Sequence, residues 1–233
     1  MDFVAHTAHR QFLGLLAGCL AWIVTMATAG MDEWRLWQVE DVSVVTSGVA
    51  WVGIWRACFH SHALPQAERC QRMGVSEAFV PAEVKAAQVL MLLAALGGLA
   101  ANVGGGLALR RVYFSVEERG NVRPLFLLAG SLFVLTAAVT SVPLLWNLTS
   151  VLNGATIRFP PHFLLPAAPA SQRVGAAVGV GFFGAILMLL SGTSFLCYRA
   201  PEGTPPGLWT PPAEGSGRAE NFEGRNNPSF HAL

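Results

Sequence analysis

Four runs without Asp, Glu, Lys or Arg punctuate the chain, at residues 12–29, 86–109, 125–146 and 174–197. An α-helix rises 1.5 Å per residue, so about 20 apolar residues cross a hydrocarbon core of ~30 Å. Each run therefore predicts a transmembrane helix, the form that satisfies its own backbone hydrogen bonds inside lipid. The pattern leaves two long connections on one side of the membrane, 30–82 and 147–173, and one short charged connection, 110–123, on the other. Short connections make successive helices antiparallel neighbours. Glycines recur inside the runs (Gly97, Gly98, Gly104, Gly105, Gly106, Gly175, Gly179, Gly181, Gly184). In a membrane such residues let helices approach closely.

Between the helices the pattern changes period. Residues 42–55 are rich in Val, Thr and Trp and lack proline, which favours extended strands. Trp51, Gly53 and Trp55 alternate, so they are expected on one face of a strand. Pro81 suits a helix start. Pro160, Pro161, Pro166 and Pro169 predict an irregular or extended second loop. The segment 199–233, rich in Pro, Gly, Glu and Asn, reads as a disordered tail.

Composition sharpens the class. Charged residues make up only 12% of the chain, against about 25% in an ordinary soluble domain. A net charge of +1 excludes the basic stripe that nucleic-acid binding needs. No Ser-His-Asp set, carboxylate pair or phosphate-cradling loop emerges, so neither an enzyme nor a cofactor is expected. His60 and His62 follow Cys58, but a metal would compete with a disulfide for the same sulfur, and solvated loop histidines are the better reading.

Sidedness rests on two cues. Arg10, Arg110, Arg111, Arg119, Arg123 and Arg199 flank one side, and Arg35, Arg56, Arg69, Arg72, Arg158 and Arg173 the other, so the positive-inside count barely leans. Cys58 and Cys70 in the long loop pair only in an oxidising compartment. Together the cues place 30–82 and 147–173 outside and both termini in the cytoplasm. Ala27-Thr28-Ala29 closes the first run with the small-x-small pattern of a signal cleavage site. That run exceeds the usual length of a signal core, and it is read as a permanent helix.

The first long loop holds Trp34, Gly53-Ile54-Trp55, Cys58 and Cys70. A bridge between cysteines twelve apart would pin two neighbouring strands. A Trp, then Gly-Leu-Trp-x-x-Cys, then a second Cys, in the first outer loop of a four-helix membrane protein, resembles the claudins and their wider tetraspan superfamily. Gln11-x-x-Gly14, Ala21-Trp22, Trp34-Arg35, Gly130-x-x-Phe133, Pro143, Trp146, Arg173, Gly175, Gly181 and Phe182 extend the likeness to nearly everything before the tail. Glu33-Trp34-Arg35-Leu36-Trp37, Phe79-Val80-Pro81 and Phe159-Pro160-Pro161 are similar to words of the divergent claudin thirty-four branch.

The resemblance implies a left-handed four-helix transmembrane bundle over 1–198 capped by a small antiparallel extracellular β-sheet. It also implies a component of tight junctions that binds itself and other claudins laterally and across cells, within membrane lipid, and controls paracellular permeability. Glu68, Arg69 and Arg72 surround Cys70 and are the candidate paracellular charges. Their sum of +1 predicts a barrier with slight anion preference. Phe159, Pro160, Pro161, His162 and Phe163 are the candidate contact with the facing cell. Departures from the pattern keep open a second reading, a tetraspan accessory subunit that modulates the trafficking or gating of a channel or receptor. Gln88 stands where the family often has Arg. The inner loop lacks a cysteine for palmitoylation, leaving juxtamembrane Cys197 as the candidate. The ending Phe230-His231-Ala232-Leu233 departs from the Tyr-Val that PDZ scaffolds read, which speaks against scaffold binding. Asn147-Leu148-Thr149 is a glycosylation sequon expected to stay bare beside the membrane. Cys19, mid-helix, reads as a small packing residue.

Overall fold

The computed structural model describes residues 2–40, 45–61, 68–114 and 122–198. The tail from Arg199, together with Arg119 and His62, lies outside the described residues. Four helices form the body: α1 Asp2–Gly30, α2 Ala82–Phe114, α3 Arg123–Leu152 and α4 Ala176–Leu196. All four are long and apolar enough to cross a membrane. They pack in a ring, with α1 against α2 and α4, and α3 against α2 and α4.

Three of the helices, α1, α2 and α3, outrun the charge-free stretches that predicted them, whereas α4 lies just inside 174–197. α2 has 33 residues and α3 has 30, lengths of about 50 and 45 Å at 1.5 Å per residue. Glu83, Lys85, Arg110 and Arg111 are all helical. A charge ends the hydrocarbon run but not the backbone hydrogen-bond ladder, so absence of charge marks the membrane and not the helix. α3 opens on Pro124 in its first turn, where a missing N–H leaves nothing unpaired, and carries Pro143 inside.

Close packing explains several of the intramembrane glycines. A methyl at Gly18 would meet the Phe133 ring at 2.5 Å, one at Gly181 would meet Leu144 at 2.6 Å, and one at Gly98 would meet Trp22 at 2.8 Å. The reading does not extend to all of them. Gly106 and Gly179 face open space, and Gly175 precedes α4 instead of lying within it. Polar side chains add to the seam between α1 and α2. Trp22 Nε1 donates to Ala95 O at 2.8 Å, and the Cys19 thiol donates to Asn102 Oδ1 at 3.2 Å, so Cys19 bonds as well as packs.

One end of the bundle carries a five-stranded antiparallel sheet, with strands β1 Arg35–Gln38, β2 Val49–Val52, β3 Arg56–His60, β4 Glu68–Arg72 and β5 Ser171–Val174 in the order β4-β3-β2-β1-β5. β5 comes from the end of the second loop, expected to be irregular or extended, and pairs with β1 so that Arg35 opposes Val174 and Gln38 opposes Ser171. The expected strand over 42–55 is a correction. Within it only Val49–Val52 is strand, residues 41–44 lie outside the described set, and Gly53-Ile54-Trp55 forms the turn into β3. Trp51, Gly53 and Trp55 therefore do not share one strand face.

Candidate functional site

The sheet is mounted on the helix ends by hydrogen bonds that the signature residues supply. The last carbonyls of any helix lack intrahelical donors. At the end of α1, Trp34 Nε1 donates to Thr28 O at 3.1 Å and Trp55 Nε1 donates to Ala29 O at 2.8 Å. Two indoles thus serve helix carbonyls while their rings join the apolar core under the sheet. Gly53 sits between them, in a turn whose own backbone bond runs from Gly53 N to Arg56 O at 2.9 Å. A methyl there would lie 2.9 Å from Asp32 Cα, so the turn approaches the exit of α1 only because the position lacks a side chain. Ile54 is fully buried, and its carbonyl, like that of Met73, accepts from the Gln88 side-chain amide. A neutral glutamine on α2 thereby grips both the β2–β3 turn and the strand exit beyond β4. Gly175 holds the opposite margin. Its N–H donates to Trp34 O at 3.0 Å, and a methyl at this position would overlap Glu33 O at 1.9 Å.

Beneath β1 lies a buried polar cluster that no sequence feature announced. Arg35 is fully buried, and its Nη2 lies 3.1 Å from Glu83 Oε1 of α2. The same nitrogen donates to Ser150 Oγ at 3.1 Å, and Nε donates to Asn147 Oδ1 at 3.2 Å, both on α3. Ser150 Oγ in turn donates to Glu83 Oε1 at 2.8 Å. Burial lowers the Arg35 guanidinium from its ordinary value, while the hydrogen bond and charge of Glu83 pull it back up. One strand and two helices are joined at a single ion. Arg35, counted from sequence among the loop charges, contributes nothing to the surface. Asn147, the sequon asparagine, is helical and 2% exposed, with its amide oxygen engaged by Arg35.

The β3–β4 hairpin is closed by the Cys58–Cys70 disulfide, across residues that oppose each other in register. β4 is an edge strand and exposes Glu68, Arg69, Cys70 and Arg72. It is tied to the second loop, since Arg69 Nη2 donates to His162 O at 2.9 Å and the His162 ring nitrogen Nε2 lies 3.1 Å from Gln71 Oε1. The candidate contact segment 159–163 splits in two. Phe159 packs edge-on against Trp37 at 5.7 Å and Phe163 against Phe59 at 5.1 Å, both buried. Within the segment Pro161 and His162 are exposed, as is Leu164 next to it. The two phenylalanines hold the loop down and leave display to their neighbours. Removing the bridge with Cys58→Ser or Cys70→Ser is expected to cost about 3 kcal/mol, the closure term for a loop of this size. Thermal unfolding of the detergent-solubilised protein with and without reductant checks it. Equal midpoints in the two conditions would contradict the expectation.

Cys58, Glu68 and Cys70 place three potential ligand atoms within 4.8 Å of one another, yet the two sulfurs are bonded to each other and offer no thiolate. His60 closes β3 with its ring 5.2 Å from that of Trp51, so it is an exposed strand-end residue with an aromatic neighbour. Asp32 and Arg56 form a surface pair at 2.6 Å, where solvent screening leaves it little weight. Cys197 stands exposed just after α4.

A family model described as PMP-22/EMP/MP20/Claudin tight junction matches residues 19–197, which takes in the sheet, both loops and all but the first part of α1. Among curated proteins, the chain is 27% identical over 220 residues to Claudin-3 of Mus musculus, covering 86% of this chain and 93% of that protein. It is 26% identical over 204 residues to Claudin-6 of Homo sapiens, covering 84% of each chain. It is also 26% identical over 204 residues to Claudin-4 of Canis lupus familiaris, covering 84% of this chain and 89% of that one.

Proposed function

The chain belongs to the claudin family, and on that premise we propose that it is a structural and adhesive component of tight junctions, assembling laterally into strands and meeting partners on the facing cell. The observation that carries this reading is the rigid mounting of the sheet. A stapled hairpin, two indole caps, the Gln88 grip and the Arg35 cluster hold an extramembrane platform in fixed orientation on four spanning helices. Such a platform suits repeated contact between copies, because little freedom is lost when it docks.

The sheet faces the extracellular space in this reading, since its disulfide needs an oxidising compartment. Both termini then lie in the cytoplasm, where Arg10, Arg110, Arg111 and Arg123 follow the positive-inside tendency. Contact with the facing cell falls to Pro161, His162 and Leu164, carried outward by the buried Phe159 and Phe163. Glu68, Arg69 and Arg72 on the exposed edge strand line the paracellular path, and their summed charge of +1 favours anions slightly. Neighbouring claudins, or further copies of this chain, complete the strand.

Freeze-fracture electron microscopy of fibroblasts without junction strands of their own, expressing this chain, tests the assembly. Strands at cell contacts are expected, and they should vanish with Cys58→Ser. Protein that reaches the surface but forms no strands, alone or beside a second claudin, would replace this reading with that of an accessory subunit. Paired dilution potentials across an expressing epithelial layer test the selectivity, which a clear cation preference would overturn.

A further inference from the structure

At the end of the bundle away from the sheet, α1 and α4 leave a groove of about 230 Å³ lined by Arg10, Leu13, Gly14, Ala17, Leu190 and Ser194. Its floor is fixed. Gln11 Nε2 donates to Ser194 O at 2.9 Å, Ser191 Oγ donates to Gly14 O at 2.7 Å, and a methyl at Gly14 would come 3.1 Å from Ser194 Cβ. The two helices are thus tied to each other by hydrogen bonds beneath the slot. Its walls are apolar and turned towards the bilayer, with Leu13 63% and Leu190 56% exposed.

Charge singles out what fills it. Arg10 stands exposed at the mouth without an acidic partner among the described residues. The acids whose side chains are described, Asp32, Glu33, Glu40, Glu68, Glu77 and Glu83, all sit on the strands and loops of the sheet end or at the adjoining start of α2. Among the described side chains, the groove end carries Arg10, Arg110, Arg111 and Arg123 instead. A guanidinium with no acidic partner among the described residues, above an apolar slot, complements a phosphate above an acyl chain, and the planar fork of arginine binds phosphate oxygens two at a time. The dimensions agree as well. From Arg10 to Ala17 the helix descends about 10 Å, the depth from a headgroup phosphate into the upper acyl region.

We propose that this groove seats an anionic phospholipid, its phosphate held by Arg10 and its acyl chain lying along Leu13, Ala17 and Leu190. The inference does not rest on the junctional reading, because it concerns the bilayer and not the facing cell. Native mass spectrometry of the full chain in mild detergent, offered equal amounts of dioleoyl phosphatidylserine and phosphatidylcholine, tests it. The wild type is expected to retain phosphatidylserine preferentially. Arg10→Gln should lower that preference about fivefold, the equivalent of ~1 kcal/mol per basic side chain at an anionic surface. Ala17→Phe, which fills the slot but keeps the charge, should lower retention of phosphatidylserine too. Arg123→Gln, which removes the same charge away from the groove, should leave it unchanged. Equal retention of the two lipids by the wild type, or equal losses from Arg10→Gln and Arg123→Gln, would overturn the proposal. A lipid-free dimer abolished by Ala17→Phe would overturn it as well, and would assign the groove to a second copy of the chain.

Discussion

Arg35→Met is expected to destabilise the folded chain by about 3–5 kcal/mol, the range for breaking a buried ion pair by removing one partner. The loss exceeds that of an ordinary contact because Glu83 keeps its charge while losing the guanidinium that faces it at 3.1 Å, and Asn147 and Ser150 lose their donor. The pair should therefore be strongly non-additive. Arg35→Met combined with Glu83→Leu leaves no orphaned charge, and its cost is expected to fall well below the sum of the two single changes. Denaturant or thermal unfolding of the four proteins in one detergent closes the cycle. An Arg35→Met variant within about 1 kcal/mol of wild type, a surface-pair value, would mean that water reaches the cluster.

The second large effect is at Trp34. Trp34→Ala removes a fully buried indole and the donor to Thr28 O, and about 3–5 kcal/mol is expected from the cavity alone. Trp34→Phe separates the two contributions. It keeps most of the apolar volume and gives up the hydrogen bond, so about 1 kcal/mol is expected. Met31 N also approaches Thr28 O at 3.3 Å, which keeps that carbonyl from being wholly stranded. The order wild type, Trp34→Phe, Trp34→Ala in unfolding midpoint is the checkable outcome. If Trp34→Phe is as harmful as Trp34→Ala, the hydrogen bond and not the ring is what mounts the sheet.

The helices were legible because hydropathy acts locally: a run of 20 apolar residues reports its own environment. Their ends were not, since a charged residue at the water interface continues a helix as readily as it ends one, as Arg110 and Arg111 do. The signature of Trp34, Gly53, Trp55 and the two cysteines was legible as a family pattern, but its geometry was not. Alternation suggested a strand through Gly53, whereas that residue lies in a turn closed by its bond to Arg56 O, packed close to Asp32 and held, through Ile54, by Gln88 of α2. Phe159 and Phe163, aromatic residues among prolines in a loop, resemble surface contacts until Trp37, Phe79 and Phe59 are seen to cover them. Arg35 is the clearest case. An arginine in a connection between helices reads as solvated, and only the convergence of α2 and α3 makes it a core residue. In each instance the misreading concerned a partner distant along the chain.

That β1 is flanked on one side by β2 and on the other by β5 orders the events of synthesis. Residues 35–38 can find β2 as soon as the first loop is made, but their other edge stays open until 171–174 has been translated, after two further membrane crossings. For that interval the nascent chain displays an unpaired strand, the feature that invites pairing with the wrong molecule. A chain halted before residue 171 never closes it, so the edge of β1 stays open in every shortened product that lacks β5.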